Sequence, residues 1–130
     1  MQLRRILKTG LCSNDLNIQV EILKRALRST GFDGNQENNE FTRLDYFMSG
    51  VETVNPVSRM FLKGIDDKVT HLFYFMFSTR LRQLEPHRTF LKYRSELYRL
   101  REVLNHNEAD RFLVFFCEYR GTDTESEAEV

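Results

Sequence analysis

The chain has 130 residues, a formal net charge of zero and a hydrophobic content of 41%. This length suits one domain that can bury its own core without disulfides or metal ions. The neutral charge balance excludes a bulk electrostatic argument for binding nucleic acid or membranes, which leaves only local patches. The most apolar run, 72–77, is far shorter than the roughly 20 residues that cross a bilayer. We therefore expect no membrane partner and a cytoplasmic or nuclear location.

The first part of the chain predicts a strand followed by a helix. Residues 2–8 alternate imperfectly between apolar and polar side chains and predict a short strand. Short polar side chains at 13–15 can cap a helix, and the apolar residues that follow are spaced by four, three and four. This spacing predicts a helix over 14–30, because it places on one face Leu16, Val20, Leu23 and Leu27.

The middle of the chain predicts a loop, a strand and a series of turns. Residues 33–40 contain no large apolar side chain and predict an exposed loop. Residues 41–48 fit either a strand or one short helix, and we favour the strand. Glycines and Pro56 interrupt the segment 49–66, which predicts turns and short extended pieces.

The second half predicts two strands on either side of a long helix. Residues 69–78 are rich in β-branched and aromatic side chains, which predicts a strand buried on both faces, with a buried helix as the alternative. Pro86 suits the first turn of a helix over 86–105. The apolar residues of this helix step by three, four, three and four: Phe90, Tyr93, Leu97, Leu100 and Leu104. Residues 111–119 predict a further strand.

The resulting order is strand, helix, strand, strand, helix, strand, which matches a ferredoxin-like β-α-β-β-α-β sandwich. We therefore expect a small α+β domain over residues 1–120, with a mostly α-helical domain as the alternative. From Gly121 onward the chain is polar and acidic, which predicts a disordered tail over 121–130.

Metal and cofactor motifs are the first chemistry to consider. His71, His87 and His106 lie far from one another and from both cysteines, which provides no metal-ligand spacing. Cys12 and Cys117 are interpreted as two reduced thiols of a reducing compartment. The six glycines are too scattered to form a phosphate-binding loop. We expect no metal and no cofactor.

Nucleophilic catalysis needs an activated side chain beside a base. Cys117 follows two phenylalanines in an apolar run, a setting that raises rather than lowers the pKa of a thiol. Asp66 and Asp67 are interpreted as turn formers. We expect no enzyme, because an active site would require His71 and Cys117 to converge with one of these acids.

Charge is distributed unevenly along the chain. Between 79 and 101 there are seven basic and two acidic residues, a local excess of five positive charges. On the predicted helix, Arg88, Lys92 and Arg99 lie opposite the apolar residues and share a face that is either solvated or able to neutralise phosphates. The candidate residues for binding nucleic acid or another polyanion are Arg80, Arg82, Arg88, Lys92 and Arg99, with Arg4 and Arg5 as additions. Tyr98 is the candidate for base stacking.

The acidic tail is the counterpart of this basic segment. Thr122, Thr124 and Ser126 each precede a glutamate by three positions, a pattern that acidic-directed kinases use. These three residues are candidate phosphorylation sites, and each phosphate would add a charge of about −1.5 to −2. The tail either confers solubility or folds onto the basic segment and competes with a polyanion.

Two classes of function fit these observations. The first is a non-enzymatic protein-interaction or regulatory module, of the kind found among adaptors and viral accessory proteins. It would self-associate as a homodimer through an exposed sheet edge or through the helix at 90–104. The second is a nucleic-acid-binding domain that uses the basic segment 80–101. The sequence does not specify a protein partner.

Overall fold

The computed structural model describes residues 2–25, 41–55 and 67–122. Within these ranges six antiparallel strands close into a barrel, accompanied by two short helices. The strands are β1 (Ile18–Arg25), β2 (Phe41–Thr53), β3 (His71–Met76), β4 (Thr89–Tyr93), β5 (Glu96–Leu104) and β6 (Phe112–Thr122). The helices are α1 (Gln2–Thr9) and α2 (Thr79–Arg82), and 3-10 turns lie at Ser13–Asp15 and His106–Glu108. The expected ferredoxin-like α+β sandwich is therefore wrong, as is the mostly α-helical alternative.

The strands follow the order β1-β2-β3-β6-β5-β4 around the barrel. β4 lies beside β1, so the first four strands form a Greek key. β3 and β4 stand on opposite sides of the barrel, and the connection between them, 77–88, crosses one end and contains α2. Leu81 of α2 is almost fully buried and packs into the interior core. We name this the α2 end of the barrel.

The barrel interior is filled by side chains that alternate along the strands. On β3, Phe73 and Phe75 point inward, and their ladder partners on β6 are Phe115 and Leu113. The rings of Phe75 and Phe115 lie 4.7 Å apart. Every second residue of a strand points to the same face, so this alternation separates an inner from an outer set.

The outer face of β3 and β6 is also apolar, and α1 covers it. This helix-covered wall consists of the buried residues Leu72, Tyr74, Phe112, Val114 and Phe116. Leu3 and Ile6 of α1 pack against it, and neither is exposed to solvent. Both faces of the runs 72–75 in β3 and 112–117 in β6 are therefore removed from water, which explains their continuous apolar sequences.

Glu52 of β2 attaches α1 to the barrel. Its carboxylate accepts hydrogen bonds from the backbone N–H groups of Gln2 (3.2 Å) and Leu3 (3.1 Å), which are free donors of the first helical turn. The same carboxylate accepts the hydroxyl of Tyr74, and burial together with Glu52 raises the pKa of this phenol. One carboxylate thus connects the helix to the wall beneath it.

The predicted strand over 2–8 is wrong, because this segment forms α1. Leu3 and Ile6 are three residues apart and share a helical face, and Gly10 follows the last turn with a φ of +89°. The Gly10 N–H donates to the Ile6 carbonyl at 2.8 Å, as expected for a glycine C-cap.

The predicted helix over 14–30 is also wrong in the part that the structure describes. The short polar residues at 13–15 form only a 3-10 turn, and β1 follows from Ile18. In β1, Ile18, Val20 and Ile22 alternate with polar residues. The segment therefore follows the two-residue period of a strand and not the three- and four-residue spacing that predicted a helix. Residues 26–30 lie outside the described residues.

The predicted helix over 86–105 is a β-hairpin. β4 and β5 are antiparallel and joined at Arg94 and Ser95, which both have positive φ angles (56° and 64°), as a tight hairpin turn requires. The apolar residues that suggested one helical face divide between three clusters, since Leu104 packs against the helix-covered wall. Phe90 and Leu97 belong to a cluster separate from the barrel interior, whereas Leu100 lies in the interior.

Three predicted strands are confirmed. The segment 69–78 contains β3, and the segments 41–48 and 111–119 lie largely within β2 and β6. β2 continues to Thr53, so turns at 49–53 are wrong, and the structure does not describe 56–66. The predicted loop at 33–40 is outside the described residues too. β6 extends to Thr122, and 123–130 of the predicted tail is not described.

Candidate nucleic-acid interface

The part of the outer surface that carries the most arginines lies on β5 and β6, beyond the wall that α1 covers. Arg101 contacts the Glu118 carboxylate at 2.9 Å, and Arg120 contacts it at 3.7 Å. Arg99 is the ladder partner of Glu118 across the two strands. Two arginines therefore contact this carboxylate and a third is its neighbour across the ladder, which leaves a local excess of two positive charges.

Two further arginines extend this surface toward the α2 end. The backbone N–H of Arg25, at the end of β1, donates to the Arg88 carbonyl at 2.9 Å. Arg88 precedes β4 and pairs with Glu85 at 3.0 Å. The Nε of Arg99 donates to the carbonyl of His87, the neighbour of Arg88, at 3.2 Å. We name the surface formed by Arg25, Arg88, Arg99, Arg101 and Arg120 the basic wall.

Arg99 occupies the centre of the basic wall. Its guanidinium lies 5.9 Å from the centre of the Phe90 ring, which supports it from the neighbouring strand. Partial burial lowers the pKa of Arg99, and the nearby positive charges of Arg120, Arg25 and Arg101 lower it further, against the opposing effect of Glu118. The like charges are therefore close enough to repel one another, and a bound anion would relieve this repulsion.

The structure divides the predicted binding residues into two groups. Arg88 and Arg99 lie on the basic wall, and Lys92 shares the face of β4 that carries Phe90. Arg80 and Arg82 instead lie on α2. The predicted binding residues did not include three members of the wall: Arg25, Arg101 and Arg120. Of these, Arg101 had been counted in the local charge excess but not named as a binding residue.

The other proposed residues lie elsewhere. Arg4 and Arg5 are on α1, where Arg5 pairs with Asp15. A hydrogen bond from the Cys12 backbone and the Arg5 guanidinium lower the pKa of that Asp15 carboxyl. Thr122 is the last residue of β6, and the phosphorylation candidates Thr124 and Ser126 are outside the described residues.

The barrel end opposite α2 is closed by aromatic side chains. The hydroxyls of Tyr98 and Tyr119 donate to the two oxygens of Glu96, at 3.1 and 3.3 Å, and their rings lie 5.6 Å apart. His71 packs edge-on against Tyr98 at 4.7 Å. Tyr98 is only 4% exposed, so it cannot stack with a base, whereas Tyr119 is 40% exposed. The exposed ring of this aromatic end is therefore Tyr119.

The fold places His71 directly opposite Cys117 on β3 and β6. The thiol of Cys117 is fully buried, which raises its pKa, and it bonds to the carbonyl of Phe115 at 3.8 Å. Burial lowers the pKa of His71, and its Nδ1 contacts the hydroxyl of Thr70 at 2.9 Å. The two side chains are thus bonded to other groups, and the thiol lacks the thiolate character of a nucleophile.

Three large apolar side chains are exposed on β2 and β3. Tyr46 is 46% exposed, Met48 is 51% exposed and Met76 is 50% exposed. Tyr46 and Met48 share one face of β2, because they are two residues apart in a strand. Of these side chains, Tyr46 lies under the Arg43 guanidinium, 5.2 Å from the centre of the ring.

Neither a protein-family model nor a curated protein matches the sequence. Among the residues that the structure describes, no cluster of three or more histidine, cysteine or acidic side chains is arranged to hold a metal ion. The helices in the described ranges are too short to cross a membrane.

Proposed function

We propose that the protein is a non-enzymatic nucleic-acid-binding module that contacts phosphates through the basic wall. The observation that carries this proposal is the arrangement of Arg99, Arg101 and Arg120 around the single carboxylate of Glu118. A guanidinium presents five N–H donors in a planar fork, so an exposed arginine such as Arg120 can contact the carboxylate and also bond to phosphate oxygens.

The form of the surface indicates the mode of binding. The wall is the outside of a closed barrel, and arginines contact phosphates without reading sequence, so we expect little sequence preference. Tyr119 precedes Arg120 and exposes its ring at the adjoining barrel end, where an unpaired base could stack. We therefore propose single-stranded nucleic acid as the ligand, in the cytoplasm or nucleus.

The proposal is tested by fluorescence anisotropy with a labelled single-stranded oligonucleotide at increasing salt. We expect micromolar binding that weakens linearly with salt on logarithmic axes. The double variant Arg99→Gln with Arg120→Gln should bind more weakly and reduce the salt slope by about 1.4, since each lost phosphate contact accounts for about 0.7.

A matched control separates the wall from overall charge. The double variant Lys8→Gln with Arg82→Gln also removes two positive charges, but from exposed positions on α1 and α2. We expect the control to keep nearly the full salt slope. Equal losses in both double variants, or no binding at low salt, would contradict the proposal.

Protein interaction is the second candidate, and the exposed side chains of Tyr46, Met48 and Met76 favour it. The closed strand order leaves no free edge among the described strands, and 90–104 is not a helix. Homodimerisation through an exposed sheet edge or through a helix at 90–104 is therefore not proposed again. Self-association would have to use this apolar surface, and light scattering of wild type and of Met48→Ser with Met76→Ser would detect it.

A further inference from the structure

The α2 end of the barrel contains an open cleft of about 280 Å³ between α2 and β2. Two of its lining side chains are polar, those of Arg80 and Gln83. The others are apolar: Ile22, Leu44, Phe47, Leu81 and Leu84. Its volume corresponds to about nine water molecules in the liquid, and the mouths of β-barrels are common ligand sites.

Burial of the lining residues shows how the cleft is oriented. Ile22 is fully buried and Leu81 is 2% exposed, so they form its floor. Arg80 and Gln83 are exposed and form its rim. The remaining apolar side chains are half-buried and form the walls. A ligand in this cleft would meet apolar surface below and hydrogen-bond donors above.

Arg80 is the one charged side chain among the described residues that line the cleft. Its Nη1 contacts the carboxylate of Asp45 at 2.8 Å, and its guanidinium lies 5.9 Å from the centre of the Phe47 ring. The side chains of Arg80 and Asp45 are 64% and 46% exposed, so water screens their attraction and the pair is weak. The guanidinium is therefore held over the cleft but keeps donors for a second carboxylate.

We propose that this cleft binds a small monocarboxylic acid with a short aliphatic chain. The chain lies on Ile22 and Leu81, where it displaces water from apolar surface, and the carboxylate bonds to Arg80 at the rim. Because Arg80 lines the cleft and its partner Asp45 does not, an anionic head group is favoured over a cationic one. The volume lies just below the range of drug-sized ligands, which restricts the ligand to a small molecule.

The first test compares octanoate with octanol on the full-length wild-type protein, using isothermal calorimetry and amide chemical-shift perturbation. Both probes have the same chain, and only octanoate carries the charged head group. We expect octanoate to bind with a Kd on the order of 1 mM or lower, and octanol about two- to fivefold more weakly. The shifted amides should belong to the lining residues.

Three substitutions make the assignment specific. Arg80→Gln should weaken octanoate binding about two- to fivefold and leave octanol unchanged. Asp45→Asn removes the competing carboxylate and should strengthen octanoate binding by a similar factor. Leu84→Trp fills the cleft and should abolish binding of both probes, while a retained unfolding midpoint shows that the variant is folded.

The control is Arg82→Gln, which lies on the same helix but does not line the cleft. We expect it to bind octanoate as the wild type does. Equal affinities for octanoate and octanol would overturn the role of Arg80. Binding that survives Leu84→Trp, shifts confined to α1, or no binding of either probe would overturn the site itself, as would equal effects of the two arginine variants.

Discussion

β6 has the same alternation of inward and outward residues along its length, but its outer side faces two different surroundings. At Val114 and Phe116 the outward side chains are apolar and lie under α1. At Glu118 and Arg120 they are charged and belong to the basic wall. Since α1 contributes Leu3 and Ile6 to the first region only, the difference shows that the helix determines which part of the barrel surface serves stability.

The comparison implies that the two walls respond differently to substitution. A side chain on the helix-covered wall contributes buried apolar area, so its loss lowers the free energy of unfolding. On the basic wall, the loss of an exposed side chain such as Arg120 changes the surface potential more than the stability.

The largest effect is expected for Ile6→Ala. Ile6 is fully buried against the helix-covered wall, so its truncation should lower the free energy of unfolding by about 2–5 kcal/mol. Arg120→Gln on the basic wall should change it by less than about 0.5 kcal/mol. Urea denaturation measures both, and comparable losses would show that the two walls do not differ as described.

A smaller loss is expected for Glu52→Gln. The carboxylate accepts two backbone N–H groups of α1 and the hydroxyl of Tyr74, and an amide retains only one acceptor oxygen. We expect the free energy of unfolding to fall by about 1–3 kcal/mol. Glu102→Gln, at an exposed position of β5, is the control and should have little effect. An unchanged urea midpoint for Glu52→Gln would contradict the attachment of α1 by this residue.

Glu118→Gln should have opposite effects on stability and binding. Its carboxylate contacts Arg101, and both side chains are more than four-fifths buried, so we expect a loss of about 1–2 kcal/mol in unfolding free energy. The substitution also removes the carboxylate from the centre of the basic wall. Oligonucleotide affinity in the anisotropy assay should rise roughly two- to fivefold. Weaker binding would show that Glu118 positions the arginines instead of opposing the ligand.

The smallest effect concerns pH. Burial lowers the pKa of His71 below the ordinary value of 6.5, so the unfolded chain takes up this proton at a higher pH than the folded protein. The stability contributed by the neutral imidazole is therefore present above pH 6.5 and is lost as the pH falls through the lowered pKa. His71→Gln should flatten this dependence below pH 6.5, whereas His87→Gln, at an exposed position, should not. If the free energy of unfolding changes with pH in the same way for wild type and His71→Gln, the contribution of His71 is contradicted.

Two of the three strands that could be predicted from the sequence, β3 and β6, contain runs that are buried on both faces, whereas the third, β2, is half-exposed. Leu72–Phe75 and Leu113–Phe116 are continuous apolar runs too short for a core helix, and a strand between α1 and the barrel interior requires such a run. In β1, β4 and β5 the spacing of the apolar residues was misleading, because it also fits a helix. Leu97 and Leu100 are three residues apart, yet they belong to different clusters of one strand.

Turn chemistry explains why the hairpin was missed. Tight hairpins usually carry glycine or asparagine where φ is positive, but here Arg94 and Ser95 occupy those positions. The binding surface could be predicted only in part, because some of its residues are brought together by strand pairing and not by their positions in the sequence. Arg88 and Arg99 lie within one local charge excess, whereas Arg25 joins them only because β1 pairs with β4 to close the barrel.

The central claim is that the basic wall, and not the helix-covered side of the barrel, binds nucleic acid. Its most direct test is to titrate isotopically labelled protein with a single-stranded oligonucleotide and follow backbone amide shifts. We expect the largest shifts at residues 99–101 and 118–120, with smaller ones at Arg25 and Arg88, and none along α1. Shifts concentrated on α1, or an absence of shifts at low salt, would contradict the claim.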